Sequence, residues 1–204
     1  MNDLEKQFNA VQYHTDKGGC GTFGSYGKEP CCGRCIPGLG QGHHYLKFYG
    51  MLFEHCRNAG NVVEIGVQDG SSVLMWSDYF QIATITGVDI NITAKAKALA
   101  MGKNIRLIEG DATDIEMVDK LPKKIDILID DGSHRLKDQC SALSLLWPLI
   151  RPGGWYCIED IEPRDKDKLY TAMQQHQPEI ILTSDTTTRG GLWNSYIFAA
   201  QKEL

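Results

Sequence analysis

Short apolar runs alternate with stretches of helical period from residue 62 to the end of the chain, and this alternation limits the fold more than any other feature. The runs at 62–67 (VVEIGV), 84–89 (TITGVD), 105–109 (IRLIE), 125–130 (IDILID) and 154–159 (GWYCIE) have the length and continuity of strands buried on both faces. Helices are predicted between them at 71–80, 93–101, 114–121 and 136–150. The last is the clearest, with Leu136, Cys140, Leu143, Trp147 and Ile150 on one face before Pro152-Gly153-Gly154. Five β/α alternations predict an α/β fold with a doubly wound, mostly parallel sheet of Rossmann-like type. A further helix is predicted at 165–176. Beyond it, EIILTSD (179–185) and SYIFAAQ (195–201), joined by TTTRGGLWN, predict a C-terminal antiparallel hairpin and bring the sheet to seven strands.

Residues 1–60 read differently. Residues 18–42 (GGCGTFGSYGKEPCCGRCIPGLGQG) are too glycine-rich for helix or strand. From His44, Tyr45, Phe48, Tyr49, Leu52 and Phe53 recur at helical spacing and predict an entry helix. The chain therefore divides into an N-terminal extension, 1–60, and a ligand-binding domain, 61–204. With 204 residues and 42% hydrophobic content it suits one domain with a sizeable core.

A net charge of −5 argues against a broad nucleic-acid or anionic-membrane surface, so the expected partner is a small molecule. The first residues, MNDLEKQFNA, carry charge where a signal peptide needs an apolar core, and no apolar run nears the roughly 20 residues of a membrane span. A cytoplasmic protein is expected, and a homo-oligomer stays open. Of seven cysteines, Cys56, Cys140 and Cys157 fall in apolar-patterned segments and read as small core residues. Cys20, Cys31, Cys32 and Cys35 cluster in the glycine-rich stretch, where zinc ligands and free thiols are the alternatives.

In open α/β sheets, ligands sit beyond the carboxyl ends of the strands, where strand order reverses. The first strand runs into E64-I-G-V-Q-D-G-S-S72, in which Gly66 lets backbone approach a ligand closely. The second ends at Asp89, suited to accept ribose hydroxyls, and the third leads to Asp111 and Ala112, where an adenine amino group can be read. These features also fit a nicotinamide cofactor, the basis of an oxidoreductase alternative. The spacing G-V-Q-D-G departs from GxGxxG, however, and Glu64 and Asp69 are poor neighbours for a diphosphate. They suit a cationic ligand such as S-adenosylmethionine, which has a sulfonium, an ammonium and no phosphate. Ser71, Ser72 and Asp130 complete the expected cofactor lining. Taken singly, each acid fits equally well as the cap of the following helix.

The fourth strand ends in D130-D131-G-S-H134 and the fifth in I158-E159-D160. Neighbouring strands lie about 5 Å apart, so Asp131, Glu159 and Asp160 are expected to converge. Neither motif contains an Arg or Lys to neutralise them, and a divalent cation would. An all-oxygen set favours Mg²⁺, Mn²⁺ or Ca²⁺ over zinc. His134 is then placed as the general base that takes a proton from an acceptor hydroxyl. The bland alternative is a polar turn with a surface histidine.

EIGVQDGSSVLMWSDYF, GVDI, GD, IDDGSH and LIRPGGWYCIED together resemble the class I S-adenosylmethionine-dependent methyltransferases, and among them the metal-dependent sugar O-methyltransferases of the macrocin and mycinamicin type. T15-D-K-G18 followed by H43-H-Y45-x-x-x-Y49 resembles the entry segment of that group. The resemblance implies metal ligands at Asp131, Glu159 and Asp160, a base at His134, and Thr15 and Lys17 at the carboxylate end of the cofactor. It implies methyl transfer to a hydroxyl of a sugar or another vicinal-diol natural product. A non-catalytic cofactor-binding module with a zinc-organised docking loop is the alternative from another class. Larger members carry a further N-terminal domain, for which this chain is expected to have no room, and the cysteine-glycine insertion departs from the group.

Overall fold

A computed structural model describes residues 2–11, 15, 17, 45–186 and 196–204. Its strands are β1 (Asn61–Ile65), β2 (Thr84–Asp89), β3 (Ile105–Glu109), β4 (Ile125–Asp130), β5 (Ile150–Ile161), β6 (Ile180–Asp185) and β7 (Tyr196–Gln201). The helices are α1 (Asp3–Val11), α2 (Leu46–Phe53), α3 (Ser71–Tyr79), α4 (Ala94–Ala100), α5 (Met117–Lys120), α6 (Leu136–Leu146) and α7 (Lys166–Gln174). They build one seven-stranded sheet in the order β3-β2-β1-β4-β5-β7-β6. β7 runs antiparallel to both its neighbours, and the β1 to β5 pairings are parallel. The predicted mostly parallel sheet with a C-terminal antiparallel pair is the observed one. No described helix is long and apolar enough to cross a membrane.

The two-residue period of the strands divides the interior into two cores. Val62, Ile127, Ile129, Trp155, Cys157, Ile197 and Ala199 face the layer of α2, α3 and α4. Val63, Leu128, Tyr156, Ile158, Phe198 and Ala200 face α5, α6 and α7. Burial on both faces is why these strands read as continuous apolar runs instead of alternating ones.

Three local differences from the sequence reading have physical causes. The helix predicted at 136–150 stops at Leu146 and tightens into a 3₁₀ turn over Trp147–Leu149, because Pro148 has no N–H to continue it. β5 begins at Ile150, ahead of Pro152. Its pairing with β4 steps from Ile125↔Ile150 to Ile127↔Trp155, so residues 151–154 stand opposite Asp126 alone, an irregularity that tolerates proline. The sequence reading did not anticipate α1, whose charges hide the fully buried Leu4. Through Leu4, the N-terminal residues share the first core.

Candidate active site

The sheet order reverses between β1 and β4, so the crevice between their carboxyl ends is where a ligand is expected. Two backbone features shape it. Gly66 has φ +88°, and a Cβ there would overlap the carbonyl of Asp131, so only glycine lets the β1–α3 and β4–α6 loops meet. In β5, Ile158 pairs with Phe198 and Ile161 with Tyr196, leaving Glu159 and Asp160 opposite the single residue Ile197. This bulge, with Asp160 at φ +53°, breaks the alternation that would send adjacent side chains to opposite faces.

The result is a compact acidic centre. Asp131, His134 and Asp160 each offer a ligand atom, and these atoms all lie within 4.8 Å of one another. His134 Nε2 is 3.8 Å from Asp160 Oδ2. His134 Nδ1 is buried and accepts or donates no hydrogen bond among the described residues, and the residue sits at φ +59°. Non-glycine residues in this region are strained, and such strain gathers at functional sites.

Glu159 sits differently. Its Oε1 accepts from the Lys17 ammonium at 2.8 Å and from the Tyr49 hydroxyl at 2.5 Å. Lys17 Nζ also lies 2.6 Å from Asp131 Oδ2 and 3.3 Å from Glu64 Oε1. Lys17, Glu64 and Glu159 are all buried, Lys17 and Glu64 completely. The acids therefore have a basic partner after all, supplied from outside both strand-end motifs. Lys17, implied by resemblance to meet the cofactor's carboxylate end, hydrogen-bonds to Asp131 and Glu159 and pairs with Glu64. Tyr45 OH donates to Asp160 Oδ1 at 2.9 Å. Burial, then the neighbouring acids, pushes both phenols up, so both stay protonated donors. Burial likewise drives Glu159 well above the carboxylate range, with Lys17 the strongest influence opposing it.

From the sequence, Tyr45 and Tyr49 are placed on the entry helix and in its motif, with no role at the acidic centre. The signal was available: at i and i+4 of an apolar helix, both hydroxyls rise from one face. A third missed group is Gln139 in α6, whose Nε2 donates to the Glu159 carbonyl at 3.1 Å.

The residues assigned to the cofactor fall into two groups. At the rim, Asp89 Oδ2 accepts from Val67 N at 2.8 Å and Gln68 N at 2.9 Å, and Oδ1 from Asn91 N. Asp69 accepts from Ser71 N and pairs with Lys95 at 2.6 Å; burial opposes, but Lys95 and Ser71 hold it below its ordinary pKa. Asp111 accepts from the N–H and hydroxyl of Thr113, which lower its pKa, and Ala112 is buried beside it. Thr15 accepts from Lys17 N at 3.5 Å. Ile90, next to Asp89, is 75% exposed, an apolar face the sequence reading passed over.

The second group is interior. Glu64 accepts from Ser72 Oγ at 2.8 Å and Trp76 Nε1 at 3.1 Å, and burial raises its pKa. Asp130 points into the core packed by α6. Its Oδ1 accepts from Gly132 N, its Oδ2 has no partner among the described residues, and burial, aided by Asp131 and Asp138, pushes it up to about 7. A folded-state pKa above the unfolded one means stability is complete below the unfolded value and is lost as pH rises through 7. From pH 5 to 8 this one group should cost roughly 2.5 kcal/mol. Chemical denaturation at both pH values is expected to show that loss in the wild type and little of it in Asp130→Asn.

Cys20, Cys31, Cys32 and Cys35 lie outside the described residues; Cys56, Cys140 and Cys157 are free thiols, the last fully buried.

Residues 63–161 match the family model described as a methyltransferase domain. The match spans just under half of the chain. Among curated proteins, the chain is similar to mycinamicin VI 2''-O-methyltransferase of Micromonospora griseorubida, 35% identical over 136 residues, which are 61% of this chain and 33% of that protein. A second relative is the 8-demethyl-8-alpha-L-rhamnosyl tetracenomycin-C 2'-O-methyltransferase of Streptomyces olivaceus, 34% identical over 131 residues, 59% of this chain and 34% of that one. The chain thus spans about a third of the length of these relatives. Among solved structures, a methyltransferase from the mycinamycin biosynthetic pathway in complex with Mg and SAH superimposes with a TM-score of 0.66 at 24% identity, covering 98% of this chain and 55% of that one. The superposition shows that this chain shares the fold of that structure.

Proposed function

We propose that the protein is an S-adenosylmethionine-dependent O-methyltransferase that acts, with a divalent cation, on a hydroxyl of a sugar or other vicinal-diol unit of a natural product. The observation that carries this reading is the meeting of Asp131, His134 and Asp160 at the carboxyl edge between β4 and β5. The curated relatives named above methylate oxygens of glycosylated natural products, by their own names, and this supports a sugar acceptor here.

The donor set fits a hard cation: the carboxylates of Asp131 and Asp160, with the His134 imidazole beside them. When bound, Mg²⁺ or Mn²⁺ supplies Lewis-acid charge that makes a neighbouring hydroxyl easier to deprotonate. S-adenosylmethionine supplies an electrophilic methyl on sulfur. The protein does the rest. Asp131 and Asp160 would hold the cation, and Tyr45 fixes the Asp160 carboxylate. His134 takes the proton of the accepting hydroxyl. Asp89, Asp69, Asp111 and Ile90 form the rim against which the cofactor is held. Confining oxygen, methyl carbon and sulfur in line is worth about 7 to 11 kcal/mol in favourable cases.

The test is a calorimetric titration with S-adenosylhomocysteine, followed by methyl-transfer assays on rhamnosylated and other glycosylated acceptors. Binding is expected, with turnover that chelation abolishes and Mg²⁺ or Mn²⁺ restores. A chain that binds NAD in preference to S-adenosylhomocysteine, or a metal-stripped protein with full turnover, defeats the reading.

A further inference from the structure

The peptide unit that joins Glu159 to Asp160 is held by two side chains from opposite sides of the sheet. Its carbonyl accepts from Gln139 Nε2 at 3.1 Å, and its N–H donates to the Tyr45 hydroxyl at 3.3 Å. Gln139 belongs to α6, in the layer over the second core, whereas Tyr45 stands at the head of α2 and packs in the first. A strand peptide ordinarily lies in the plane of its sheet, with both polar ends turned to neighbouring strands. Neither neighbour claims this one in that way. β4 pairs no further than Asp130 with Ile158, and on the β7 side the bulge sets Glu159 and Asp160 against Ile197 alone. The 159–160 peptide therefore stands across the sheet, and the φ of +53° at Asp160 records that turn.

Aspartate tolerates left-handed backbone better than most residues, but within a strand it returns to extended backbone unless something holds it. Gln139 is placed to do so. It is 3% exposed, on a helix whose other buried residues are Ala142, Leu143 and Leu146. An apolar side chain of the same length would pack there with less desolvation, so what the amide adds is its bond to the Glu159 carbonyl. The Glu159 carboxylate is pinned separately by Lys17 and Tyr49, so a rotation of the peptide is taken up at Asp160. That rotation would carry Asp160 Oδ1 off the Tyr45 hydroxyl, 2.9 Å away, and Oδ2 from its place 3.8 Å from His134 Nε2. We propose that Gln139 is a positioning residue for methyl transfer: by holding the Glu159 carbonyl on the α6 side, it keeps the peptide across the sheet and aims the Asp160 carboxylate at the reaction centre. The geometry stands by itself, and its effect on turnover rests on the methyltransferase reading above.

The test compares the full chain with Gln139→Met, which keeps the length and loses the donor, with Gln139→Asn, whose amide falls one methylene short, and with Tyr45→Phe. The φ of Asp160 is read from its HN–Hα coupling in isotope-labelled protein. Methyl transfer to a rhamnosylated acceptor and S-adenosylhomocysteine affinity are measured on the same proteins. In both Gln139 variants the Asp160 coupling should rise as φ returns to the extended region, and turnover should fall ~10- to 100-fold, the scale of a small misplacement. Cofactor affinity should change less than about threefold, because Gln139 lies away from the rim. Since Gln139 and Tyr45 act from separate cores on one peptide, Gln139→Met with Tyr45→Phe should lose far less turnover than the product of the single losses, whereas independent packing defects would multiply. An unchanged Asp160 coupling in either Gln139 variant overturns the proposal, as do multiplying losses or wild-type turnover in Gln139→Asn. A wild type that fails to bind S-adenosylhomocysteine defeats the methyltransferase reading, and the Asp160 coupling then decides the role of Gln139 by itself.

Discussion

Replacing His134 by alanine should lower turnover by the ~10²- to 10⁴-fold of a lost general base while changing S-adenosylhomocysteine affinity less than threefold. The separation follows from position. His134 stands over Asp160 and Asp131, at the end of β4, whereas the proposed cofactor rim is built from the loops after β1, β2 and β3. One complication is conformational. His134 holds φ +59°, a left-handed backbone that costs alanine about 1 to 2 kcal/mol. His134→Asn is therefore the better-matched variant, since asparagine tolerates that region and cannot act as a base near neutral pH. Both variants should lose turnover alike, with the asparagine form keeping wild-type stability. Turnover of His134→Asn within tenfold of wild type removes the base assignment.

How much of this could be read from the sequence depends on the range of the interactions. Strand and helix positions are local: β2, β3 and β4 run over the predicted spans, because buried parallel strands announce themselves as apolar runs. Strand-end chemistry is nearly local, and Asp131, His134 and Asp160 do come together. What the sequence hid was non-local or geometric. Lys17 meets Glu159 across 142 positions and Asp131 across 114, a pairing no spacing rule reveals. The bulge that turns Glu159 and Asp160 together depends on β7, an antiparallel partner some forty residues later, so no pattern within β5 could show it. Inward from the strand ends, a carboxylate read as a ligand group can be an interior one. Glu64 and Asp130 occupy opposite faces of the sheet, and which face a strand residue takes is fixed by packing of α3 and α6, not by its chemistry.

The same buried cluster gives the largest expected effect on stability. Lys17→Met should destabilise the fold by about 3 to 5 kcal/mol, because it removes one partner and leaves the others desolvated. At about 2 to 4 °C per kcal/mol for a chain of this size, the melting temperature should fall by roughly 10 °C. The sign of the pH dependence checks the cause. Burial already raises Glu64 and Glu159, and Lys17 is the foremost influence pulling both back down. Without it their folded-state values rise further above the unfolded one, so the stability of the variant is fullest in acid and is lost as pH rises through the new values. The gap between Lys17→Met and wild type should therefore be wide at pH 8 and narrow towards pH 5, as followed by urea denaturation. Packing loss alone would give a gap independent of pH. Adding Glu64→Gln and Glu159→Gln to Lys17→Met should recover part of the loss, since the remaining groups are neutral and keep Ser72, Trp76 and Tyr49 as donors. A triple variant no more stable than Lys17→Met at pH 8 would mean that the lysine stabilises through its alkyl stem rather than its charge.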